Sequence, residues 1–150
     1  MNAVVIGVGN EYRRDDGIGP AVAARVADVR GPGVRVVITD GEPARLLDAW
    51  TGTDVTVVVD AVVVRDPSPG RVHRLTVDAL PEGQAVPSSH GMGIPEAVEL
   101  ARALNRLPGR LVFYTVEIGD TGYGTGLSAP VAAAVGPVTA AVLRELSVSE

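Results

Sequence analysis

Five side chains have the type and placing to do chemistry: the adjacent carboxylates Asp15 and Asp16, a third carboxylate at Asp60, and the histidines His73 and His90. Asp15 and Asp16 close the loop Gly9-Asn10-Glu11-Tyr12-Arg13-Arg14-Asp15-Asp16-Gly17 and open a helix. One carboxylate suffices to accept the unpaired N–H groups of a helix start, which leaves the second to face a cleft. Asp60 ends the apolar run Val55-Thr56-Val57-Val58-Val59, and a carboxylate there is costly to bury unless paired or metal-bound. His90 stands among small residues in Pro87-Ser88-Ser89-His90-Gly91-Met92-Gly93, where its ring is accessible to a ligand. His73, between Val72 and Arg74, is expected to face solvent. Ser88 and Ser89 occupy no G-x-S-x-G turn, and adjacency to His90 does not supply triad geometry. Asp16, Asp60 and His90 together would make an open site for a divalent ion such as Ni²⁺ or Zn²⁺. Two close carboxylates could instead share a proton and activate water. The residues alone leave both chemistries open.

Other chemistries are excluded by composition. The chain has no Cys, so thiol nucleophiles, disulfides and zinc–thiolate sites are ruled out. All 13 basic residues are Arg, so neither a Schiff-base lysine nor a P-loop lysine is available. Gly7 and Gly9 follow a strand as in a dinucleotide fingerprint, but the third glycine position holds Tyr12. The loop is also long for that motif, and Asp15 and Asp16 would set negative charge where a phosphate must sit. No nucleotide is expected. A net charge of −5 with 3% aromatic residues argues against nucleic-acid binding.

The elements that must carry these residues alternate strand and helix, as in an α/β sheet. Residues 3 to 8 form a short apolar strand of the doubly covered kind. Ile18, Ala21, Val22, Val26 and Val29 keep helical spacing up to the breaker Gly31-Pro32-Gly33. A strand over Val34 to Thr39 and a short helix over Ala44 to Trp50 follow. The long β-branched run Asp54 to Val64 holds the central strand in its first half. Polar residues interleave Val72 to Val77, which predicts an edge strand, possible in antiparallel sense. After the glycine-rich stretch Pro81 to Gly93, Ala97, Leu100, Ala101 and Leu104 define an amphipathic helix with Pro95 in its first turn. Leu111 to Ile118 is the last strand, and Gly119 to Gly126 reads as a mobile loop. Ser128 is placed to cap a final helix that Pro137 must kink or interrupt. The count is five strands and about four helices in one domain, residues 1–150. At 46% hydrophobic, this length supports one sizeable core. No apolar run is expected to reach the roughly 20 residues of a membrane span, and the N-terminus lacks a secretory signal. The expectation is a soluble, cytoplasmic protein with no membrane or nucleic-acid partner.

The ordered motifs resemble those of the NiFe-hydrogenase maturation endopeptidases. Gly7-Val8-Gly9-Asn10 followed by Asp15-Asp16-Gly17-Ile18-Gly19 is similar to the family's N-terminal signature. Asp60 after the apolar strand and Ser88-Ser89-His90 before a helix resemble its second and third motifs, and Gly126-Leu127-Ser128-Ala129-Pro130-Val131 its C-terminal pattern. The resemblance implies a three-layer α/β/α sandwich, phosphorylase/hydrolase-like, with a mixed, mostly parallel five-stranded sheet containing one antiparallel strand. It also implies an endopeptidase, aspartic-type or metal-assisted, that removes a C-terminal extension from a nickel-loaded hydrogenase large-subunit precursor. Asp16, Asp60 and His90 would be its metal-contacting and catalytic positions, and the Ni²⁺ would be supplied by the substrate. Two positions depart from the family pattern: Asp16 stands where Glu is frequent, and Asp40-Gly41-Glu42-Pro43 replaces a Gly-Thr-rich turn. The alternatives are a non-catalytic nickel-binding maturation factor and a same-fold hydrolase acting on another substrate.

Overall fold

A computed structural model describes residues 2–77 and 93–148. Its centre is a five-stranded sheet in the order β2-β1-β3-β5-β4. The strands are β1 (Ala3–Val8), β2 (Val34–Thr39), β3 (Val55–Val62), β4 (Val72–Thr76) and β5 (Arg110–Glu117). Parallel pairing joins β1 to β2 and β3, and β3 to β5; β4 alone runs antiparallel, against β5. Every residue of β1 and β3 is buried, as continuous apolar runs covered on both faces should be.

Two helical layers provide that cover. On one face α1 (Ile18–Val29) and α5 (Val135–Val148) pack Ile18, Val22, Val138 and Val142 on Val57, Val59 and Val112. On the other, α2 (Pro43–Trp50) and α3 (Gly93–Leu104) set Leu46, Trp50, Ile94 and Ala97 on Ile6, Val58 and Phe113. The result is the expected α/β/α sandwich with a mixed, mostly parallel sheet.

Three expectations need correction. β3 occupies more than the first half of its run, because β5 pairs with it throughout, from Val55 opposite Arg110 to Val62 opposite Glu117. The last helix does break, but at Ala133–Ala134, between α4 (Ala129–Ala132) and α5, and not at Pro137. Pro137 is the third residue of α5, where a missing N–H costs nothing because first-turn donors lack intrahelical acceptors. Residues 129–147 are also, by length and composition, apolar enough for a membrane span. The helix break and the buried Glu145 belong instead to a packed helix of the core.

Glu145 fastens α5 to the far edge of the sheet. It accepts from Arg74 Nε and Arg110 Nη2, both at 2.5 Å, and from the Tyr114 hydroxyl at 2.7 Å. Burial pushes this carboxyl up, but the bonds from Arg74 and Tyr114 outweigh it and hold it below the ordinary value. Burial and the same bond raise the Tyr114 phenol.

Candidate active site

The site is built where the carboxyl ends of β1 and β3 meet the first turn of α1. Backbone touches backbone there. A Cβ on Gly19 would lie 2.3 Å from the Val8 carbonyl oxygen and 2.6 Å from that of Val59, and one on Gly7 would lie 2.4 Å from the Gly19 oxygen. Gly9, at φ +149°, admits no Cβ either, since the Asp16 carbonyl oxygen would be 2.0 Å away. The glycines that imitate a dinucleotide fingerprint thus serve close helix–strand contact, a different use of the same small residue.

A short 3-10 turn, Arg14–Gly17, carries both acidic residues into this corner. Neither caps α1: its N-cap is Gly17, with no side-chain bond. Asp15 is fully buried and reaches outward to the loop after β5. Its Oδ1 accepts from Ser128 N at 2.7 Å, and its Oδ2 accepts from Ser128 Oγ at 2.9 Å, Asp120 N at 3.2 Å and Gly119 N at 3.4 Å. Ser128 holds the N-cap position of α4 but spends its hydroxyl on Asp15 instead. The segment from Gly119 to Gly126, expected to be mobile, is pinned. Asp15 N donates to Asp120 O, Arg14 N to Gly124 O and Gly124 N to Tyr12 O, at 2.9–3.0 Å.

Asp16 points elsewhere. It is 7% exposed, and its Oδ2 accepts from Asn10 N at 2.9 Å. Asp60 is fully buried, and its Oδ1 accepts from the N–H of Ala61 at 2.8 Å. The pairing of β1 with β3 ends at Gly7 opposite Val59, so Asp60 stands one residue beyond it, on the edge where the turn bearing Asp16 lies against β3. Both predicted carboxylates therefore come to one corner. His90, with Ser88 and Ser89, falls outside the described residues. Among the described residues no three His, Asp or Glu side chains gather closely enough to hold an ion.

His73 keeps much of the solvent exposure expected of it, with 41% of its side chain accessible, but it also has a partner. Its Nε2 lies 2.6 Å from Glu117 Oε2, and Glu117 is only 5% exposed. The Ser68 N–H first, and His73 next, hold the Glu117 carboxyl below its ordinary range. In the sheet register Asp60, Thr115 and His73 form one row across β3, β5 and β4. Glu117 was missed although, like Asp60, it is a buried carboxylate toward the carboxyl end of a largely apolar strand.

The family model for hydrogenase maturation proteases (HycI) matches residues 21–145. The chain belongs to the hydrogenase maturation protease family. As such it is a peptidase. Comparison with curated proteins found no match. Solved structures agree on the fold. The Escherichia coli maturating endopeptidase HybD is 23% identical with a TM-score of 0.86, covering 99% of this chain and 94% of its own. HybD from Thermococcus kodakarensis is 24% identical at a TM-score of 0.75, covering 96% and 98%. HycI from Thermococcus kodakarensis is 22% identical at 0.71, covering 97% and 92%. In this maturation protease the turn after β2 is closed by Glu42, which caps α2 by accepting from Ala44 N at 3.1 Å and Arg45 N at 3.3 Å.

Proposed function

We propose that this protease acts in the cytoplasm to remove the C-terminal extension of a nickel-loaded NiFe-hydrogenase large-subunit precursor, and that Asp16, Asp60 and His90 contact the substrate's nickel. The observation that carries the reading is Asp60, a fully buried carboxylate at the carboxyl edge of the central strand, with the turn of Asp16 lying against that strand. Ligands of open α/β sheets bind at that edge, and oxygen donors with one imidazole suit a borderline divalent ion. Asp16 is one methylene shorter than Glu, which favours contact through a water molecule over direct coordination.

In this reading the nickel is part of the substrate and fixes the register of the scissile bond. Asp16 or Asp60 then takes the proton of the attacking water as general base. The test is intact-mass spectrometry of a cognate precursor, nickel-loaded and nickel-free, incubated with the protein. Loss of the C-terminal peptide from the loaded sample alone is expected, and Asp60→Asn is expected to slow it at least about 100-fold. Unchanged mass of a loaded precursor that another maturation protease does cleave refutes the reading. Nickel binding without cleavage would favour the non-catalytic factor.

A further inference from the structure

A groove of about 550 Å³ lies beside the candidate active site, on the outer side of the loop that holds Asp16. This is within the roughly 300–1,000 Å³ of typical ligand clefts. Its floor is apolar: Pro20, Ala21 and Ala24 of α1, Ile38 at the end of edge strand β2, and Leu127. Ile38 is 55% exposed and the neighbouring Tyr12 64%. Exposed apolar and tyrosine surface gathered in a concavity marks an interaction site rather than scattered surface. The groove is continuous with the catalytic corner, because Gly9, Asn10 and Gly17 form its wall and Asn10 N is the donor to Asp16.

The charges on its rim say what it takes. Arg14 is countered by Asp120, 3.8 Å away outside the lining. Asp40 lies 3.8 Å from the exposed Arg45, outside the lining, and accepts from Glu42 N at 3.1 Å and Thr39 Oγ1 at 3.4 Å, whereas Glu11 has no ion pair or hydrogen bond among the described residues. The remaining charge on the rim is negative.

We infer that this groove docks a segment of the precursor polypeptide bearing apolar side chains beside a Lys or Arg, the basic group facing Glu11 and Asp40. The inference rests on the substrate proposed above and adds a docking element to it.

Binding is measured in the Asp60→Asn protein, with the nickel-loaded precursor as probe, by biolayer interferometry. Ala24 is exposed on α1, and Ala24→Trp fills the groove from a helix surface. The dissociation constant should rise at least about tenfold, whereas Ala103→Trp, on the exposed side of α3, should leave it unchanged. Glu11→Gln should weaken binding about two- to fivefold at low ionic strength and converge with the parent at about 0.5 M salt. Ile38→Arg, which removes an apolar contact and repels a basic segment, tests the same groove from β2 if Ala24→Trp lowers the melting temperature.

 Binding that survives Ala24→Trp or Ile38→Arg, or that falls equally with Ala103→Trp, overturns the groove. A protein that binds the precursor through the groove but leaves it uncleaved with Asp60 intact refutes the proposed cleavage and not the docking.

Discussion

Asp15 and Asp16 are neighbours with opposite duties, and exchanging each in turn separates them. Asp15→Ala removes the acceptor for four hydrogen bonds, of which the two from Ser128, at 2.7 and 2.9 Å, are short. A hydrogen bond to a charged group is worth about 1.5–3 kcal/mol, so these two alone represent about 3–6 kcal/mol. The half-buried N–H of Ser128 is also left without its acceptor. Against a total stability of about 5–15 kcal/mol this is a large fraction. At about 2–4 °C per kcal/mol for a domain of this size, the melting temperature should fall by about 6–24 °C. The assay is thermal unfolding followed by circular dichroism, with cleavage of the nickel-loaded precursor measured well below the transition. Asp16→Asn, which keeps an acceptor for Asn10 N, should melt close to the parent protein and lose cleavage. If Asp15→Ala melts like the parent and it is Asp15→Ala that abolishes cleavage, the assignment of roles is wrong.

Three further outcomes follow from the packing and the charges. Gly19→Ala sets a methyl against the carbonyl oxygens of Val8 and Val59, at 2.3 and 2.6 Å, and should cost about 3 kcal/mol or more in urea unfolding. Glu145→Gln should destabilise at neutral pH. The Glu145 carboxyl lies below its ordinary 4.5 when folded, so its contribution is present above that value and is lost as pH falls through the folded one. The stability gap between parent and variant should therefore narrow in acid unfolding titrations. Glu42→Ala removes the acceptor for Ala44 N and Arg45 N and should cost about 1 kcal/mol, read in the same urea experiment.

What the sequence made legible is what local pattern can carry. Continuous apolar runs place β1 and β3, 3.6-residue spacing places α1, and the polar interleaving of Val72 to Val77 marks β4 as the odd strand. Asp60 stood out because a carboxylate at the end of such a run needs a reason. The division of labour between Asp15 and Asp16 was out of reach: the partner that decides it, Ser128, lies 113 positions away. For His73 the exposure was legible from its neighbours but the partner was not, since the carboxylate that claims it is 44 positions away. The break before Pro137 shows a related limit. Proline forbids certain hydrogen bonds but does not choose which side of itself the chain bends.

The pinning of the Asp16 turn by Asp15, Asp120 and Ser128 has a consequence for the order in which the molecule assembles. A ribosome delivers both carboxylates within the first 60 positions, while the partners that lock their turn arrive only with Gly119, Asp120 and Ser128. Contacts of such separation close late, after the loop entropy between them has been overcome. An emerging chain therefore displays its acidic residues long before it holds them in place. Proteolytic competence is therefore expected only once these late partners have docked, and a copy that stops short of Ser128 should be inactive.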